Sequence, residues 1–306
     1  MSALPPIDVA DLRVLVSLAS ERHFARAAQA CNLSQPALST RIRRMEEALG
    51  TPLVQRGQRF LGFTEAGERV LARARRVLAD LDGLRQDVTG GADLSGRLRI
   101  GVIPSATPLA GRLAAALAQD HPNVEVVCTS LSSRMIEAGL LDFSLDAGIT
   151  YLNNEPLHNV DTLPLQPESY CLVGSRDLLG KSEAPASWKQ AADWPLALLT
   201  SDMQNRRILD KAFADAGATP QVVFEANSFL SIFGRAGRTT SPVVAILPRM
   251  IVDELKTDAL GIRELEAMRV PPVIGLVAPR RNLQLPLTSA LWRVCLAAPQ
   301  SVDNLS

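Results

Sequence analysis

Between Phe24 and Gly50 two helix-forming stretches stand almost back to back. The first runs from about Phe24 to Ala30, and Asn32-Leu33 leaves room only for a tight turn. Ser34 then sits where a helix N-cap belongs, with Pro36 in the first turn, where a missing N–H costs nothing. The second stretch puts Leu38, Ile42, Met45 and Leu49 on one face and stops near Gly50. Two helices joined by so short a turn form a helix-turn-helix. A preceding helix over residues 8–20 is expected, with Asp8 as its cap and Leu12, Leu15, Val16 and Ala19 inward. Residues 53–63 are expected to form a two-stranded wing around Gly57 and Gly62.

A long helix follows over residues 64–89, opened by Thr64-Glu65 and stopped by Gly90-Gly91. Val70, Ala74, Val77, Leu81, Leu84 and Val88 recur at alternating spacings of four and three, a heptad seam. Such a seam predicts dimerisation through paired helices. Past the glycines the texture changes. Strand-like runs (98–103, the VEVVCT, LDAGIT, YCLVGS, PLALLT, VVFEA, VVAILP and VIGLVA segments) alternate with helical ones. That alternation predicts mostly parallel sheets. About 200 residues of it, with crossings near 162–168 and 268–275, predict two lobes.

Composition narrows the function. The chain has 32 basic and 32 acidic side chains, a net charge of zero. Residues 1–90 nevertheless hold 13 arginines against 10 acids and no lysine, and arginine suits bidentate contact with phosphate and guanine. No apolar run approaches the ~18 residues of a membrane span, and the N-terminus lacks the charged-then-apolar pattern of a signal peptide. Cys31, Cys128, Cys171 and Cys295 lie far apart without a metal-binding spacing, so free thiols in a reducing cytoplasm are expected. No metal site and no cofactor are implied. An enzyme is disfavoured, since there is no P-loop, dinucleotide fingerprint, GxSxG or HExxH, and the only histidines are His23, His121 and His158. A small-molecule binding protein without a DNA function fits the C-terminal two-thirds but not the helix-turn-helix.

Residues 24–53, with Arg56, the Phe63-Thr64-Glu65-Ala66-Gly67 run and Leu94-Ser95-Gly96-Arg97-Leu98-Arg99-Ile100-Gly101, resemble the LysR-type transcriptional regulators. The resemblance spans nearly the whole chain; it is most specific over residues 12–67 and lies at the level of fold beyond 100. It implies a mixed α+β and α/β architecture. A winged helix-turn-helix (1–63) and a linker helix (64–90) precede a two-lobed effector domain (91–306) like a periplasmic binding protein. Lobe 1 would comprise about 97–165 and 268–300, lobe 2 about 166–267. It also implies promoter DNA as partner, a homodimer assembling to a homotetramer, and an effector bound between the lobes.

For DNA, the third helix would enter the major groove with Ser34, Gln35, Pro36, Ser39 and Thr40 on base edges. Gln35 has the donor–acceptor pair that reads adenine, and Pro36 suits a thymine methyl. Arg43, Arg44, the wing residues Arg56 and Arg59, and Thr64 complete the expected surface. For the effector, Ser105 and Thr107, Ser132 and Ser133, and Thr200, Asp202 and Asn205 each place polar groups at a helix start, with Asn227 a further candidate. Helix starts favour anions, so a small anion is expected. Arg206 or Arg207 could balance its charge.

Overall fold

The structure is a computed structural model describing residues 7–55, 57, 59–89, 94–155, 157–180, 184–236, 242–255, 260–280 and 285–297. Arg56, the Gly90-Gly91 stop and the side chain of Val88 lie outside the described set. The chain divides into two compact units, Met1–Leu94 with Ala138–Leu145, and Ser95–Glu137 with Asp146–Ser306. Among the described residues no helix is long and apolar enough to cross a membrane.

The N-terminal unit carries α1 (Val9–Glu21), α2 (Phe24–Ala30), α3 (Gln35–Leu49) and α4 (Glu65–Thr89). Local chemistry sets the boundaries. Asp8 and Asp11 form a reciprocal capping box on α1, and the Ser34 side chain accepts from Ala37 N at the start of α3. Gly50 ends α3 at φ 66°, the left-handed conformation in which glycine meets no Cβ penalty. Val14, Leu15, Leu18, Ala28, Leu38, Ile42, Met45, Leu53 and Leu71 fill one core. The buried face of α1 is thus centred on Val14, Leu15 and Leu18, with Leu12 and Val16 only half-buried at its margin. Leu49 keeps the phase of the α3 stripe but is 42% exposed, and Ala48 is the buried residue of the last turn.

The expected wing is reduced, among the described residues, to its base. Val54 bridges Phe63 antiparallel, Gln55 N donates to Gly62 O at 2.9 Å, and Gln55 Nε2 to Phe63 O at 3.0 Å. On α4 the seam divides. Val70 and Ala74 pack into the unit's own core, with Ala74 only 1% exposed. Val77 and Leu84 are 42% and 62% exposed, and Leu81 is half-buried.

The C-terminal unit holds two five-stranded sheets. The first is ordered β2-β1-β3-β10-β4, from β1 (Ser95–Val102), β2 (Asn123–Ser130), β3 (Ala147–Tyr151), β4 (Val160–Pro167) and β10 (Val273–Pro279). The second is ordered β7-β6-β8-β5-β9, from β5 (Tyr170–Gly174), β6 (Pro195–Leu199), β7 (Gln221–Ala226), β8 (Val244–Pro248) and β9 (Gly261–Glu264). Neither sheet is mostly parallel. In each, two of the four strand junctions are parallel and two antiparallel, because one strand, β10 or β5, runs against the other four. The reason is connectivity: β4 leaves the first sheet for the second and β10 returns from it, so the two run in opposite directions side by side. The helices are α5 (Thr107–Asp120), α6 (Ser133–Leu141), α7 (Arg176–Leu179), α8 (Trp188–Ala192), α9 (Gln204–Asp215), α10 (Phe229–Ala236), α11 (Arg249–Leu255) and α12 (Pro286–Ala297). Sheet 2 buries Leu172, Leu196, Leu198 and Ile246 against Trp188 and Phe213, whose rings meet edge-on at 5.3 Å.

Candidate functional site

The first half of α3 presents Gln35, Pro36, Thr40 and Arg43 to solvent, with Ser34 exposed at its cap and Ser39 half-exposed. Ser39 and Arg43 share a groove of about 790 Å³ with Gln55 and Gly57 of the wing. Helix and wing base are fixed together by Glu46, whose Oε1 accepts from Leu53 N (2.8 Å) and Val54 N (3.1 Å). Arg59 is exposed on the wing.

Two residues expected at the DNA are occupied inside the unit. Arg44 Nη2 lies 2.6 Å from Asp11 Oδ2, beside Arg41 Nη1 at 2.7 Å from Asp11 Oδ1. Thr64 donates its hydroxyl hydrogen to Pro52 O at 2.7 Å and accepts from Gly67 N at 3.0 Å, capping the first turn of α4. With that hydrogen committed, Thr64 has none to offer a phosphate.

The effector candidates fall into three groups. Thr107 and Asn227 line a cavity of about 330 Å³ with Pro104, Ser130 and Ser228. Thr107 Oγ1 itself donates to Pro104 O at 3.0 Å. Among the described residues, the buried hydroxyls of Ser133 and Thr200 have no hydrogen-bond partner, nor does that of Thr150, which the sequence reading missed. Ser132 serves as a cap, accepting from Met135 N at 3.4 Å. Asp202 is exposed, and its carbonyl accepts from Arg207. No side chain caps α9, where the N-cap position is Met203.

Ser105 and Asn205 meet in a third group, around residues not foreseen from sequence. Tyr151 and Tyr170 both donate to Glu168 Oε2, at 2.6 and 2.5 Å. Ser105 Oγ lies 3.1 Å from the Tyr151 hydroxyl, and since that hydroxyl gives its hydrogen to Glu168, Ser105 is the donor. Asn205 Nδ2 lies 3.0 Å from Tyr151, 3.1 Å from Tyr170 and 3.3 Å from Glu168. Burial pushes the Glu168 carboxyl above the usual carboxylate range, against the lowering effect of its hydrogen bonds. Burial, above all, also holds both tyrosines well above theirs.

The two arginines proposed as charge partners are occupied. Arg206 pairs with Asp210 and Glu225, and Arg207 clasps Glu155 at 2.6 Å. The Arg207 hydrogen bonds hold Glu155 below the usual carboxylate range. Gln204 Nε2 reaches Asn153 O at 3.4 Å. The start of α9 is therefore stitched to the segment after β3.

Comparison with known proteins bears on both halves. Residues 9–68 match the family described as bacterial regulatory helix-turn-helix protein, lysR family, and residues 91–300 match the LysR substrate binding domain. The DNA-binding transcriptional dual regulator OxyR of Escherichia coli is 31% identical over 287 residues, 89% of each chain. An SDS degradation transcriptional activation protein of a Pseudomonas species is 32% identical over 264 residues, covering 84% of this chain and 85% of that one. Among solved structures, a full-length OxyR variant from Pseudomonas aeruginosa superposes with a TM-score of 0.79 at 24% identity, covering 96% of both chains. Full-length CbnR complexed with its target DNA gives 0.68 at 18% identity, covering 95% of this chain and 99% of that one. With both of its halves matched and relatives aligned over most of its length, the chain belongs to the LysR family of bacterial transcription regulators.

Proposed function

We propose that this regulator binds operator DNA as a cytoplasmic homodimer that pairs into a tetramer, and that a small anion held between the two lobes of its effector domain controls it. Gln35, Pro36, Ser39, Thr40 and Arg43 form the reading surface, with Arg59 on the phosphates. Val77, Leu81 and Leu84 form the dimer seam. The observations that carry the effector reading are the buried hydroxyls of Ser133, Thr150 and Thr200, which have no hydrogen-bond partner among the described residues, and the start of α9, which no described side chain caps. A buried hydroxyl without a partner is unfavourable in the free protein, and a bound anion would satisfy it. Peroxide sensing, which some relatives are named for, is not favoured at the two buried thiols, Cys171 and Cys295. Burial pushes Cys171 and Cys295 up to about 12, leaving scarcely any thiolate at neutral pH.

The test is a pair of measurements on Ser133→Ala with Thr200→Val. Removing two unsatisfied hydroxyls should leave the unfolding midpoint unchanged or slightly raised. The same variant should lose the footprint shift that a panel of small carboxylates and inorganic anions produces with the wild type. A retained shift would place the effector elsewhere, and a wild type indifferent to the whole panel would remove the anion reading.

A further inference from the structure

We propose that Glu168 is a proton-carrying latch between the two lobes: carrying a proton it holds them together, and losing that proton favours their separation. Glu168 stands on the outgoing crossover between β4 and β5, and its backbone N–H donates to Pro272 O on the returning one at 2.8 Å. Its carboxyl faces Ser105 and Tyr151 from the side of the first sheet, and Tyr170 and Asn205 from the side of the second. Glu168 is 5% exposed, and these four partners are between 1% and 5% exposed.

The charged groups nearby are already taken. Arg206 and Arg207 are paired as described, and Arg249, whose backbone N–H bonds Ser169 O, turns its guanidinium to Asp253 and Glu264. Among the described contacts no cation reaches Glu168, and a buried carboxylate without one is strongly disfavoured against its neutral acid.

The hydrogen-bond pattern shows which oxygen would carry the proton. Both tyrosines and the Asn205 amide converge on Oε2, while Oε1 and Asn205 Oδ1 have no partner among the described residues. An ionised carboxylate has two equivalent acceptor oxygens and draws donors to both. A neutral acid has one carbonyl oxygen, which accepts, and one hydroxyl, which donates. With three donors on Oε2 and none among the described residues on Oε1, a proton taken up by the carboxyl would sit on Oε1 and leave Oε2 as the accepting carbonyl.

Separation of the lobes would return the carboxyl to water and to its ordinary acidity. Between that value and the raised one of the closed arrangement, closure takes up a proton. The closed-to-open ratio should therefore fall about tenfold per pH unit as pH rises through this window, and level off on either side of it. The latch does not depend on what the effector is.

Infrared difference spectra of the full-length chain test the proton directly. At a pH just above the ordinary carboxylate range the wild type should show a protonated-carboxyl C=O band that shifts in D₂O and is missing from Glu168→Gln. Hydrogen exchange over residues 150–155 and 203–208 tests the latch. Referred to Glu168→Gln at the same pH, the wild type should lose protection as pH rises. A band that survives in Glu168→Gln, or a ratio of protection flat with pH, would overturn the proposal. Should Glu168→Gln not fold, Tyr170→Phe removes one hydrogen bond from Oε2 and should move the wild-type band; an unmoved band overturns the proposal equally.

Discussion

Asp11 is fully buried, yet it sits between two arginines of the next-but-one helix and accepts from Asp8 N at 3.1 Å. Arg41 and Arg44 thereby bolt α3 to α1, so Arg44 is held against Asp11 while Arg43 stays exposed. Replacing both Arg41 and Arg44 by alanine would strand the Asp11 carboxylate in the core. The expected loss of stability is about 3 kcal/mol, the lower end of the range for a broken buried pair because both arginines are partly solvated. Denaturant titration would read it, and an unchanged midpoint would mean that water satisfies Asp11. Asp8 was legible in the sequence because a cap acts on its own neighbours. Asp11 and Glu168 were not. Each is an acid whose partners lie 30 or more residues away in the chain or on a different element, and periodicity carries no trace of them.

At the level of elements, α4 meets the wing base through Gly67. A Cβ there would lie 2.0 Å from Leu53 O, so backbone packs directly on backbone. Gly67→Ala should push α4 off the wing base and destabilise the N-terminal unit by about 1–3 kcal/mol, despite alanine's better helix propensity. Thermal unfolding of the variant checks the sign, since propensity alone would raise the midpoint. The helices of this unit were readable because caps, the tight turn and the apolar stripe all act locally. Two strands were missed for a physical reason. β4, with two prolines in VDTLPLQP, and the four-residue β9 are both edge strands. Edges tolerate proline and short length, the features that make a strand hard to recognise.

For the whole molecule, the divided seam on α4 makes a sharper prediction than the intact heptad did. Val70 and Ala74 serve the chain's own core, whereas Leu84 is 62% exposed and contributes little to it. Leu84→Glu should therefore leave the melting temperature of the chain nearly unchanged. Sedimentation should show the shift from dimer to monomer, with operator affinity falling at least tenfold. A dimer that persists would move the subunit interface away from α4.

The neighbouring antiparallel pair β4 and β10 has a consequence of another kind. Pro167 is already in register with Val273, so the cut ends of the first sheet stand where a two-residue hairpin turn would put them. The second lobe is thus an insertion in the first, entered and left at one place. A gene lacking residues 168–272, closed by Asn-Gly, would encode the first lobe as a single uninterrupted sheet. Ancestry by insertion, and the exchange of one lobe for another between relatives, need no rearrangement of the strands that remain.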